Sequence, residues 1–193
     1  MPSARPNPVS CRELAARAGP KGAGEVLKWP GEHYRLLAGL VSALQPRRIV
    51  EVGTETGASA VAMREYLPSE GKITTFDIVP WSEFPGTALR DSDFGDGWLE
   101  QRVEDPTISS GFERNRTIFE DADLIFLDAA KDGEMEARIL GFLYSLPHDK
   151  QRILVLDDTR LMNMISTWHA IRLPKQDMTS FGHWTGTGIV RLT

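Results

Sequence analysis

Cys11 is the only cysteine in 193 residues. An intrachain disulfide is therefore excluded, as is a zinc site built on thiolates. No apolar run approaches the roughly 20 residues needed to cross a bilayer. A basic excess is missing too: 22 Lys and Arg stand against 27 Asp and Glu, a formal charge of -5. That balance gives no electrostatic footprint for nucleic acid and no polybasic patch for anionic lipid. The opening residues MPSARPNPVS lack an apolar segment, so a secretory signal is not expected. A reducing, cytoplasmic compartment is the expectation, with the sequon Asn115-Arg116-Thr117 idle. There is no internal repeat, and no low-complexity tract beyond the Pro-rich start.

What remains is a chain of one-domain length with 41% apolar residues, ample for one core. Residues 1–20 read as an N-terminal extension with a short helix. Ser10 and Glu13 have the capping-box spacing, and RELAARA stops at Gly19-Pro20. Residues 21–193 read as a single domain. KGAGEVLKWPG reads as loop, and EHYRLLAGLVSAL carries a helical stripe of Leu36, Leu37, Leu40, Val41 and Leu44. Strands and helices then alternate. RRIVEVG, KITTFDIV, LEQRVED, DLIFLDA and RILVLDD read as strands. ASAVAMREYL, SGFERNRTIFED, EMEARILGFLYSL and TRLMNMISTWHAIRL read as helices. The tail MTSFGHWTGTGIVRL alternates and suits a terminal antiparallel pair. The expected fold is α/β and doubly wound, a mostly parallel sheet with an antiparallel C-terminal strand. Ligands in such folds sit beyond the carboxyl ends of the strands.

Two constellations fall there. In EVGTETGAS, Gly53 and Gly57 permit a tight turn between strand and helix, and Ser59 sits in the first helical turn. Position 55 is glutamate where a dinucleotide fingerprint has its second glycine, which disfavours pyrophosphate. Glu51 places a charge inside a buried strand, which is costly without a partner. Asp77 ends the next strand, placed to accept hydrogen bonds from a ribose diol. The second constellation is Asp128, Asp157 and Asp158, with Lys131 three places after the first. Each acid has a plain structural explanation: Asp128 caps a turn, and Asp157-Asp158 form an N-cap pair. Together, on adjacent strands, three carboxylates repel unless one is protonated or a cation joins them. Oxygen-only ligands suit a hard cation such as Mg2+.

The order Glu51-x-Gly53-x-x-x-Gly57-x-Ser59, GKITTFDI, FLDAAKDG, LVLDDTR resembles the class I S-adenosylmethionine-dependent methyltransferases. Within them it is most similar to the metal-dependent small-molecule O-methyltransferases of the caffeoyl-CoA and catechol type, from about Glu32 onward. The resemblance implies that Glu51, Gly53, Thr54 and Ser59, in the turn closed by Gly57, hold the methionine half of S-adenosylmethionine. It also implies that Asp77 takes the ribose, and that the adenine lies near Glu104-Asp105-Pro106, with Asp105 as the cofactor contact. Asp128, Asp157 and Asp158 match positions that ligate Mg2+ or another divalent cation, and Lys131 matches the catalytic base. A small hydroxylated acceptor, catechol-like, is the implied substrate, and the relatives often form homodimers.

Two positions depart from that pattern: Asp158 stands where asparagine is usual, and Ala130 where an acid is frequent. The N-terminal region that covers the acceptor is also short. In VPWSEFPGTALRDSDFGDGW, Trp81, Phe84 and Trp98 either wall an acceptor or anchor the loop. Asp91, Asp93 and Asp96 fail as a calcium loop, with Gly95 and Arg102 at ligand positions, and read as solvated. Trp168 and Trp184 read as core, with lining of the acceptor pocket as the alternative, and His169 and His183 as packed or surface residues within reach of the cleft. Alternatives are a metal-independent methyltransferase, in which Asp157 and Asp158 only cap a helix, and a non-catalytic cofactor-binding protein.

Overall fold

The structure, a computed structural model, describes Leu14, Ala16, Arg17 and residues 32–193. Leu14, Ala16 and Arg17 are helical and Leu14 is buried. The Ser10–Glu13 pair, the stop at Gly19-Pro20 and the loop through residue 31 lie outside the described residues.

In chain order the described elements are α1 (His33–Leu44), β1 (Arg48–Val52), α2 (Ala58–Arg64), β2 (Lys72–Asp77), the short α3 (Ser92–Gly95) and β3 (Leu99–Val103). They continue as α4 (Ser109–Asp121), β4 (Leu124–Leu127), α5 (Glu134–Tyr144), β5 (Ile153–Asp157), α6 (Met164–Ala170), β6 (Lys175–Asp177) and β7 (Thr187–Arg191). They form one seven-stranded sheet in the order β3-β2-β1-β4-β5-β7-β6. The first five strands of that order are mutually parallel, and β7 runs antiparallel to both β5 and β6. This is the expected doubly wound architecture with one reversed strand.

Period-2 alternation explains how continuous apolar strands serve two cores. Ile49, Leu124, Phe126 and Val155 join the cluster under α1 and α2. Val50, Val52, Ile125, Leu127, Leu154 and Leu156 join the cluster under α4, α5 and α6. Each such fully buried side chain contributes about 1.5–3 kcal/mol. Counting on by two residues from Ile49 and Val155, Glu51 and Asp157 share the face covered by α1 and α2.

Several sequence expectations need correcting. The helix expected from Thr159 starts only at Met164, with Asn163 at its N-cap. Residues 158–163 are non-helical, with turns at 159–160 and 162–163, so Asp157 and Asp158 do not cap a helix. The apolar stripe of α1 is also rotated: His33, Leu37, Ala38 and Val41 are buried, whereas Leu44 is exposed. Finally, Trp184 is 61% exposed, while Trp168 is core as expected.

The irregular segment after β2 is pinned rather than free. Trp81 stacks on Phe94 with ring centroids 5.2 Å apart, and the Arg64 guanidinium covers buried Trp98 at 4.3 Å. Asp93 is not solvated as expected: it is buried and pairs with Arg17 at 2.7 Å and Arg64 at 3.7 Å. The sequon is sterically closed, because Asn115 is buried and donates to Glu104 and to the Gly111 carbonyl.

Candidate active site

The strand order reverses between β1 and β4, and the carboxyl ends of these two strands meet at Gly53 and Asp128. Val52 pairs with Leu127, and the next step brings Gly53 against the Asp128 backbone. A Cβ on Gly53 would lie 1.8 Å from the Asp128 carbonyl oxygen, and Gly53 has φ +104°. Gly57, at φ +71°, is pressed by Leu89, where a Cβ would lie 2.3 Å from Cγ. Both glycines thus serve the chain's own packing: one seats the turn on β4, the other admits Leu89.

Asp77 holds the turn from the opposite side. Its Oδ2 accepts the N–H groups of Thr54 and Glu55, each at 3.0 Å, and Oδ1 accepts that of Val79 at 3.1 Å. Beneath the turn Glu51 is fully buried, and the Ser59 hydroxyl donates to its Oε1. Among the described residues its Oε2 meets no hydrogen-bond geometry, the Thr75 hydroxyl being engaged with Thr54. Burial pushes the Glu51 carboxyl up to about 7, against the pull of the Ser59 and Thr75 hydroxyls. Thr54 is also buried, its hydroxyl 2.8 Å from that of Thr75.

A cleft of about 390 Å³ opens beside this turn. Gly53, Asp77, Phe84, Asp105, Asp128 and Lys131 are among the residues that line it. Asp105 is fixed by an Asx turn, its Oδ1 accepting the Thr107 N–H at 2.8 Å and the Thr107 hydroxyl at 2.6 Å.

At one end of the cleft the acids converge. Because Leu127 pairs with Leu156, the following residues, Asp128 and Asp157, emerge side by side. One carboxylate oxygen from each of Asp128, Asp157 and Asp158 lies within 4.8 Å of the other two. The Lys131 ammonium sits 3.1 Å from Asp128 and 2.7 Å from Asp158. It is placed by a strained turn: Lys131 has φ +63°, and its N–H donates to the buried Glu136 carboxylate at 2.7 Å. Asp157 is buried between two histidines, with His183 Nε2 3.1 Å from Oδ2 and His33 Nδ1 3.8 Å from Oδ1.

The charges follow this geometry. Burial and the neighbouring Asp157 push the Asp128 carboxyl up, against the opposing pull of Lys131. Asp157 is driven down: burial opposes ionisation, but His33 and His183 outweigh it. Burial pulls Lys131 down, yet Asp128 and Asp158 raise it well above the ordinary lysine value. His33 is lowered by burial and His183 is raised, its bond to Asp157 overcoming burial. The acid cluster therefore has internal counter-charges, so clustering does not by itself demand an added cation.

The O-methyltransferase family profile matches residues 9–159 of this sequence. The chain belongs to the O-methyltransferase family. Its fold is that of the class I S-adenosylmethionine-dependent methyltransferases. No curated protein matches the chain by sequence. Among solved structures, a methyltransferase from Geobacter sulfurreducens aligns with TM-score 0.63 and 17% identity, covering 99% of this chain and 90% of that one. The O-methyltransferase from Bacillus cereus, in complex with SAH, aligns with TM-score 0.62 and 15% identity over 97% and 92% of the two chains. TomG from Streptomyces achromogenes, an O-methyltransferase involved in tomaymycin synthesis and solved with SAM, aligns with TM-score 0.60 and 17% identity over 94% and 90%. At these identities the likeness is one of fold.

Against that family frame, Gly53, Asp77, Asp105, Asp128 and Lys131 share the cleft wall. Glu51, Thr54, Gly57 and Ser59 lie buried behind it. Asp157 and Asp158 are buried at its end. Of the loop aromatics only Phe84 reaches the cleft lining; Trp81 and Trp98 anchor. His169 is exposed, away from the core, whereas His183 joins the acids. Two residues escaped the sequence reading. Glu136 was detectable as a capping acid three residues beyond Gly133. His33 was detectable as a polar residue four places before Leu37 on the buried stripe of α1.

Proposed function

We propose that the chain transfers a methyl group from S-adenosylmethionine to the hydroxyl of a small, catechol-like acceptor, assisted by Mg2+ or a related divalent cation. The observation that carries this reading is the convergence of Asp128, Asp157, Asp158 and Lys131 at the end of the cleft lined by Gly53, Asp77 and Asp105. The cofactor fits what is left unsatisfied. The orphan Oε2 of Glu51 suits the methionine ammonium, and Asp77, with three of about four acceptor positions in use, retains one for a ribose hydroxyl.

The divalent ion passes the same test of fit. Three carboxylates within reach of one another form an oxygen set, and the cation that Asp128 Oδ1 already meets, Lys131 at 3.1 Å, marks where a second positive charge would be held by the same acids. When bound, an ion held by Asp128, Asp157 and Asp158 would supply Lewis acidity toward the acceptor hydroxyl and compete with Lys131 for their charge. Lys131 Nζ is the basic group nearest the cluster. While Asp128 and Asp158 both grip it, it stays an ammonium; freed and unprotonated, it takes the hydroxyl proton. The acceptor oxygen then attacks the methyl carbon as the carbon–sulfur bond breaks, its electron pair passing to sulfur and S-adenosylhomocysteine leaving, with the cleft holding both reactants in line rather than leaving them to collide.

The test is transfer of isotopically labelled methyl to a panel of catechols and other phenols, with and without EDTA. Transfer that disappears in EDTA and returns with Mg2+ is expected; undiminished turnover in EDTA rules out the role of the ion. A second reading, metal-independent transfer on the same fold, is favoured by the counter-charges that Lys131 and His183 already supply. It requires activity in EDTA, so the same measurement separates the two.

A further inference from the structure

A second ligand set lies beside the acids. One ligand atom each from His33, Asp157 and His183 lies within 4.8 Å of the other two, and all three residues are buried. They come from three separated pieces of chain: the first residue of α1, the last of β5 and the loop before β7. The imidazole centroids are 4.7 Å apart at an interplanar angle of 57°. His33 Nδ1 is buried without a hydrogen-bond partner among the described residues, in a residue only 6% exposed, and lies 3.8 Å from Asp157 Oδ1. A buried ring nitrogen left unpaired beside a carboxylate is unusual in a folded protein and marks an absent partner.

We infer that His33, Asp157 and His183 form a binding site for a borderline divalent transition ion, of the Zn2+ or Co2+ type. Two imidazole nitrogens and one carboxylate oxygen suit such ions, whereas Mg2+ favours oxygen alone. Neighbouring hydroxyls orient the ligands, as hydrogen-bond partners of ligating side chains do at metal sites. The Thr185 hydroxyl contacts His183 Nδ1, leaving Nε2 toward Asp157, and the Thr187 hydroxyl donates to Asp157 Oδ1 at 3.3 Å. Tyr34 and Phe126 pack against the His33 ring, at centroid distances of 5.3 Å and 5.8 Å. Asp157 belongs to both sets, so an ion held by the imidazoles and one held by the three acids compete for the same carboxylate. The site stands on its own ligands, whether or not the acid set takes Mg2+ for methyl transfer.

The full chain, stripped with EDTA, is titrated calorimetrically with Zn2+ and Mg2+, and with Co2+ followed by its visible absorption. The expected result is one Zn2+ per chain, bound more tightly than Mg2+. His33→Gln and His183→Gln should each weaken Zn2+ by at least about tenfold, the scale of losing part of a metal's ligand environment. Asp128→Asn should cost far less. Thermal unfolding identifies variants that still fold, and either histidine variant alone suffices. No Zn2+ binding overturns the site, as does Zn2+ affinity that ignores both histidines and falls only with Asp128→Asn. Mg2+-dependent methyl transfer is assayed on the same wild-type preparation. Its failure with Zn2+ bound through the histidines counts against the proposed function alone, and the reverse result counts against this site alone.

Discussion

The Lys131 ammonium lies 2.7 Å from Asp158 and 3.1 Å from Asp128, in the midst of the carboxylates expected to hold an ion. One residue therefore acts as counter-charge to the acids and as candidate base. Lys131→Ala should leave Asp128 and Asp158 without their nearest cation, His183 lying 3.8 Å from Asp158. A loss of about 1–2 kcal/mol at neutral pH is expected, discounted because a third of the side chain meets solvent. Added Mg2+ should raise the melting temperature of this variant more than that of the wild type. Methyl transfer should vanish while calorimetric binding of S-adenosylmethionine persists. A variant that methylates normally would remove Lys131 from the chemistry.

Glu51 supplies a pH dependence with a definite sign. Its folded carboxyl, pushed up to about 7 by burial, lies above the ordinary glutamate value of 4.5. The folded state therefore binds the proton more tightly than the unfolded chain does. This contribution to stability is full below pH 4.5 and is lost as the pH rises through 7. The difference is on the order of 3 kcal/mol. Glu51→Gln should flatten the cofactor-free stability profile across that window, as followed by urea denaturation at several pH values. An unchanged profile would show that another group titrates there.

Gly53 and Gly141 make a matched test of backbone approach. Gly53→Ala drives a methyl to within 1.8 Å of a backbone oxygen at φ +104°, so a loss on the order of 2 kcal/mol or more is expected. Gly141 is exposed in α5, and a methyl added there would meet nothing within 4 Å. The same change at Gly141 should gain about 0.5–1 kcal/mol. Chemical denaturation of the pair decides it, and a neutral Gly53→Ala would contradict the contact between β1 and β4.

Asp77→Asn replaces one acceptor oxygen with a donor facing backbone N–H groups. The turn that begins at Gly53 should loosen, at a cost of about 1–3 kcal/mol. Cofactor affinity should fall by about tenfold or more, since 1.4 kcal/mol is one decade. Calorimetry with S-adenosylmethionine reads it, and undiminished affinity would detach Asp77 from the ribose.

Much of the fold could be read locally. The alternation of largely apolar strands with amphipathic helices marked β1, β2, β4 and β5, because parallel strands covered on both faces are mostly apolar, whereas the edge strand β3, LEQRV, is polar and only its first residue is buried. The TRLMNM stretch misled, since its apolar residues fit a helix while residues 158–163 are non-helical, with Asp158 and Met162 at positive φ. Trp184 misled for another reason: hydrophobicity says a residue can be buried, not that the fold has room for it.

By itself the sequence determined that acids end β4 and β5, that a glycine turn follows β1, and that a lysine stands three places after Asp128. Those are matters of local order along the chain. Only the tertiary structure decided that Asp128 and Asp157 emerge together, which depends on strand register, and that Lys131 folds back between carboxylates. It alone set α1 over the face to which Asp157 points, bringing His33 and His183 to one carboxylate. Alternation along a strand assigns each side chain a face, but the helix covering that face is chosen by the packing of the whole sheet.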